Sequence, residues 1–113
     1  SIGHRDTDNL VRNCTIERNG EVGILLRDEG AEFRAGHRNR IENCTIRDNG
    51  ARQPGIGIDI RGATHDIAVV NTRFDSTVGG PQRIGIRIGK QAGPVSLENN
   101  TFEGCPTAVD RLQ

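Results

Sequence analysis

Residues 41–49, Ile41-Glu42-Asn43-Cys44-Thr45-Ile46-Arg47-Asp48-Asn49, decide the fold because worn copies of this stretch recur along the chain. The copies are Val11-Arg12-Asn13-Cys14-Thr15-Ile16, Val69-Val70-Asn71-Thr72-Arg73-Phe74 and Leu97-Glu98-Asn99-Asn100-Thr101-Phe102. Their asparagines, Asn13, Asn43, Asn71 and Asn99, stand 30, 28 and 28 residues apart. That spacing marks a solenoid, in which each repeat is one supersecondary unit stacked on the next.

Counting from each asparagine puts the apolar residues in register, and strand alternation then separates inside from outside. Val11, Ile41, Val69 and Leu97 form one inward column, Cys14, Cys44, Thr72 and Asn100 a second, and Ile16, Ile46, Phe74 and Phe102 a third. Thr15, Thr45, Arg73 and Thr101, with Glu17, Arg47, Asp75 and Glu103, face solvent. A further strand follows each copy: Val22-Gly23-Ile24-Leu25-Leu26, Ile56-Gly57-Ile58-Asp59-Ile60, Ile84-Gly85-Ile86-Arg87-Ile88 and a truncated Thr107-Ala108-Val109-Asp110. Strict period-two patterning would put Val22, Ile56 and Ile84 inside, and Gly23, Gly57 and Gly85 outside as a bare stripe. Asn19-Gly20, Asn49-Gly50 and Gly79-Gly80-Pro81 read as turns. The polar insertion from Asp28 to Arg38 reads as a projecting loop.

The composition suits a linear stack. Of 113 residues 33% are hydrophobic and 3% aromatic, too few large side chains for a conventional globular core but enough for coils that bury small aliphatics against each other. Fifteen basic and fifteen acidic residues cancel and form no basic run, which argues against nucleic acid as a partner. No apolar stretch approaches the ~20 residues of a membrane helix. Three cysteines, an odd number, argue against a complete disulfide framework. Cys14 and Cys44, side by side on parallel strands, are expected to remain buried thiols. No cofactor is implied, and no Cys-x-x-Cys or His cluster offers a metal site.

The recurring Asn-x-x-Ile-x-x-Asn-Gly followed by Gly-Ile-x-Ile resembles the right-handed parallel β-helix repeats of pectate-lyase-like proteins, over residues 1 to 110. The resemblance implies an all-β fold, a right-handed parallel β-helix of about four coils with three short strands each. It is one domain over residues 1–113, expected to be a segment of a longer solenoid. The superfamily includes polysaccharide lyases, glycoside hydrolases and alginate epimerases, so the resemblance implies a polysaccharide partner and a secreted or cell-surface setting. If the chain is an enzyme, those three reactions are the candidates; the fold alone chooses none of them.

The asparagine column reads as a structural ladder, each side-chain amide bonding the next at ~4.8 Å along the axis. Asparagine also tolerates the left-handed backbone of a sharp corner. Asp59 and Arg87 face outward one rung apart, with Arg61 and Lys90 close by. In the resembled lyases and epimerases such cations neutralise a uronate carboxylate while a base removes the neighbouring proton, which makes Asp59, Arg87 and His65 catalytic candidates and Arg61, Arg87 and Lys90 substrate-binding candidates. A charge ladder that merely stabilises the sheet is the competing reading. His37 and His65 each lie six residues before a repeat asparagine and should stack. Neither end carries a recognisable polar cap, so self-association through uncapped coils is expected.

Overall fold

The computed structural model describes residues 2, 6–28, 30, 36–52, 55–77 and 80–113. Twelve strands follow in order: β1 (Leu10–Arg12), β2 (Thr15–Glu17), β3 (Val22–Leu26), β4 (Arg40–Glu42), β5 (Thr45–Arg47), β6 (Ile56–Ile60), β7 (Ile67–Val70), β8 (Arg73–Asp75), β9 (Ile84–Ile88), β10 (Val95–Glu98), β11 (Thr101–Glu103) and β12 (Thr107–Arg111). Every third strand pairs in parallel, giving three four-stranded sheets, β1-β4-β7-β10, β2-β5-β8-β11 and β3-β6-β9-β12. The chain therefore climbs through four three-sided rungs. Ile2 adds a bridge to Leu26 beyond β3. Most of the expected loop between Asp28 and Arg38 lies outside the described residues.

The register is the one the repeat predicts: Val11↔Ile41↔Val69↔Leu97 on one sheet and Ile16↔Ile46↔Phe74↔Phe102 on the next. Ile41, Ile46, Val69 and Phe74 are fully buried, and with Ile58, Ile60, Ile86 and Ile88 they make the core. Burying each such side chain favours folding by ~1.5–3 kcal/mol. The rings of Phe74 and Phe102 stack with centroids 4.8 Å apart and planes 9° from parallel, a spacing close to the distance between rungs.

Two expectations fail on the third sheet. Val22 and Ile84 are only half-buried and stand outside the core cluster, Val22 lining an outer hollow, whereas Ile56 is fully buried as expected but packs apart from that cluster. The glycines beside them turn inward. A Cβ on Gly57 would sit 2.6 Å from the Gly85 carbonyl oxygen and 3.0 Å from Phe74 Cδ2, and one on Gly85 would sit 2.5 Å from the Phe102 ring. The paired register skips these glycines, joining Val22 to Ile56 and Ile24 to Ile58. No residue is inserted on either strand, so Gly57 and the Ile58 that follows it both face the core within an unshifted register. Alternation assumed an unbroken pleat; the phenylalanines occupy the space a side chain would need.

The asparagine column also needs correction. Asn13, Asn43, Asn71 and Asn99 are exposed, and among the described residues their side chains form no ladder. Their backbone carries the role, with φ of 55°, 51°, 49° and 53°, the left-handed region in which an Asn side chain costs less than a bulkier one. The other two corners use the same device at Asp8, Arg38 and Asp66, and at Arg18, Asp48 and Gly104. From each corner an amide N–H donates to the next rung, as Asn43 to the Val70 carbonyl (3.1 Å) and Asp48 to the Asp75 carbonyl (3.1 Å).

The buried amide ladder lies one corner further on. Asn19 Nδ2 donates to Asn49 Oδ1 (2.9 Å), Asn49 Nδ2 to Gln82 Oε1 (2.8 Å), and Gln82 Nε2 to Cys105 Sγ (3.7 Å). Asn49 and Gln82 are fully buried and also donate to the carbonyls of Ile16 and Ile46. A second polar column, Cys44, Thr72 and Asn100, satisfies the carbonyls of Glu42, Val70 and Val69.

Three substitutions separate these roles. Asn43→Leu should cost ~1–2 kcal/mol through its backbone angle, and Asn43→Gly should recover most of the loss. Gln82→Leu should cost more, because Asn49 Nδ2 and the Ile46 carbonyl each lose a buried partner at ~1–3 kcal/mol. Equal unfolding midpoints for Asn43→Leu and Asn43→Gly would contradict the corner assignment. On the inward glycine column, Gly57→Ala should lose ~1–3 kcal/mol by overpacking. Gly20→Ala, whose Cβ would find the movable end of the Arg52 side chain as its nearest neighbour, should stay within ~0.5 kcal/mol of the parent; matched thermal melts compare the two.

Candidate functional site

Asp59 and Arg87 pair across β6 and β9, so the sheet register itself sets a carboxylate beside a guanidinium. Arg87 grips it in two-pronged fashion, Nε to Oδ1 at 3.2 Å and Nη2 to Oδ2 at 3.0 Å. Arg61, two residues after Asp59 on the same strand's continuation, adds Nε to Oδ2 at 2.8 Å. Asp59 is 1% exposed, while the Arg87 and Arg61 side chains keep 25% and 44% of their surface. A carboxylate with both oxygens held by guanidinium N–H groups is poorly placed to take a proton from a substrate. It is well placed to fix two cations, which a bidentate geometry orients as well as neutralises.

Those cations wall a recess of about 270 Å³ that Asp28, Gly62, Gly89, Lys90, Gln91 and Leu112 complete. Lys90 thus joins Arg61 and Arg87 as expected. Three basic side chains face two acidic ones, so the recess is cationic on balance, and Leu112, 45% exposed, gives it one apolar wall. On its other side Arg61 also lines a second hollow with Asn19, Glu21, Val22, Leu25 and Arg52.

His65 lies apart from this cluster, at the corner before β7, in a hollow with Ala63, Gln91, Gly93 and Pro94. Its ring stacks on His37 with centroids 3.7 Å apart, the pairing that the repeat count expects. The His65 backbone N–H donates to His37 Nδ1 (3.2 Å), which assigns the acceptor nitrogen of that ring, and His65 Nδ1 lies 2.6 Å from Asp66 Oδ2. Arg38 bonds Asp8 (2.9 Å); that hydrogen bond holds the Asp8 carboxyl below its usual range.

Among the described residues no group of three or more His, Cys, Asp or Glu side chains is arranged around a metal, and no helix is long and apolar enough to cross a membrane. All three cysteines are free thiols, but the expected burial holds for Cys44 and fails for Cys14, which is exposed because β1 and β2 on either side of it are outer strands of their sheets; Cys105 lies between. Burial pushes the Cys44 and Cys105 thiols above their ordinary pKa.

A family model described as the right-handed β-helix region matches residues 2–110. The chain belongs to the right-handed β-helix family. No curated protein and no solved structure matches it. Within this β-helix the outward Asp59-Arg87 pair was legible from strand register alone. The Arg52 hollow and the Asn49-Gln82 ladder were not, because an irregular connection shifts Gln82 to 33 residues after Asn49; the 30-residue spacing of Asn19 and Asn49 was the available signal.

Thiol reactivity follows burial. Under native conditions a small alkylating reagent should label Cys14 first and leave Cys44 and Cys105 slow, since only the thiolate attacks and burial disfavours it. Peptide mass mapping over time measures this; labelling of Cys44 as fast as Cys14 would contradict it.

Proposed function

We propose that this right-handed β-helix is a scaffold that binds an acidic glycan through the recess of Arg61, Arg87 and Lys90. The observation that carries the reading is the buried Asp59 carboxylate, which holds two guanidiniums in place before any ligand arrives. Preorganised cations bind a carboxylate with less loss of side-chain freedom. A shallow surface with exposed N–H donors and one apolar wall suits a sugar ring bearing an acidic group, and the resemblance to pectate-lyase-like repeats supports a glycan over other anions.

A catalytic reading, as a polysaccharide lyase or epimerase, draws on one observation: Gln91 lines both the cationic recess and the His65 hollow. It would require His65 as the base, because Asp59 is engaged by its arginines. The binding reading requires no base and is the one adopted.

Lys90→Ala and Arg87→Ala should each weaken an acidic oligosaccharide on the order of tenfold, as expected for a lost hydrogen bond to a charged group. Arg12→Ala, on the β1 sheet, should leave binding unchanged. Titration calorimetry at low salt is the measurement, and added salt should weaken binding because exposed charges are screened. Equal losses for all three variants would indicate diffuse charge, and release of unsaturated products would favour the catalytic reading.

A further inference from the structure

We propose that Asn19 is a site of spontaneous deamidation, and that its conversion removes the outermost donor of the buried amide ladder. The inference rests on the ladder and the turns and does not depend on the glycan reading. Asn19 and Asn49 both precede glycine and occupy equivalent places on successive rungs. In such a pair the glycine backbone nitrogen, once its proton is lost to hydroxide, can attack the asparagine Cγ, since no side chain on the glycine obstructs the approach. A C–N bond forms, ammonia leaves with the former Nδ2, and a succinimide closes. Water then opens the ring at either carbonyl, leaving aspartate or isoaspartate. Solvent supplies everything the reaction consumes.

The two sites differ in what holds them. Asn49 is fully buried; its Nδ2 donates to the Ile16 carbonyl and to Gln82 Oε1, and the Gly50 N–H that would have to attack is bonded to the Asn19 carbonyl at 2.8 Å. Reaction there needs the ladder and a rung-to-rung bond to open together. Asn19 is exposed, its side chain makes the single ladder bond to Asn49, and among the described residues nothing accepts the Gly20 N–H. The same dipeptide is therefore locked on one rung and poised on the other.

Conversion changes the ladder at its first link. Asn49 Oδ1 accepts from both the side chain (2.9 Å) and the backbone N–H (3.1 Å) of Asn19. After deamidation an acceptor-only carboxylate replaces that side-chain donor, opposite the oxygen of a buried residue. The isoaspartate product also lengthens the backbone by one methylene where the N–H must be positioned.

The 113-residue chain, incubated at mildly alkaline pH and mapped by tryptic mass spectrometry with an isoaspartate assay, should convert at Asn19 while Asn49 lags by more than about tenfold. In urea the lag should vanish. Gly20→Ala, at a site where the nearest neighbour of the new Cβ is the movable end of Arg52, should suppress conversion at Asn19. Asn19→Asp, which imitates one product, should melt below the parent. Equal rates at the two asparagines in the folded chain, or an intact Asn19 under conditions that convert it in urea, would overturn the site. An Asn19→Asp variant that melts with the parent would overturn the consequence for the ladder.

Discussion

The rung-to-rung hydrogen bond at each corner is the constraint from which the rest follows. A chain that turns sharply three times per rung must find partners for its corner amides without leaving the coil, because an unpaired buried N–H costs as much as a lost hydrogen bond. A left-handed residue at the corner reverses the chain within one position and aims its N–H at the rung above. Asn43 does so toward Val70, Arg38 toward the His65 carbonyl and Asp48 toward Asp75. With those directions set, the strands between corners are only three to five residues long, and their side chains fall into axial columns.

Columns explain both the core and the candidate site. Inside, isoleucine stacks on isoleucine and Phe74 on Phe102; outside, the same one-rung offset sets Asp59 against Arg87 and Glu17 against Arg47. Most outer pairs are exposed and contribute little. The Asp59 cluster differs because its carboxylate is 1% exposed, so its partners cannot be removed cheaply. Breaking a buried charge pair costs more than forming it gained. Arg61 and Arg87 are thereby held as structural ligands of one acid while still presenting N–H groups to the recess.

The repeat made the fold legible. Asn13, Asn43, Asn71 and Asn99 set the period, and every strand they predict is present in the register they predict. What the period could not show was which way a side chain points where the pleat breaks. Alternation put Gly57 outside, yet it faces the core beside a buried Ile56, because Phe74 from another rung fills the space a side chain would need. The asparagine column failed for a related reason: an αL backbone turns the side chain outward, whereas a residue with ordinary φ at the next corner, Asn49, can turn inward. Of the candidate site, Asp59, Arg61, Arg87 and Lys90 came together because register is a local property. His65 did not join them, since it sits in the connection between β6 and β7, in a neighbouring hollow whose lining shares Gln91 alone with the recess.

The amide ladder has a direction. From Asn19 through Asn49 and Gln82 to Cys105 each side chain donates to its successor, so the local dipoles add along the axis. A row of this kind has two self-consistent senses, and reversing one amide alone would set oxygen against oxygen. Its two extremities are therefore chemically unlike, an amide oxygen at Asn19 and a thiol at Cys105. A neighbour that prolonged the row would have to run the same way, and a copy packed head to head could not continue it.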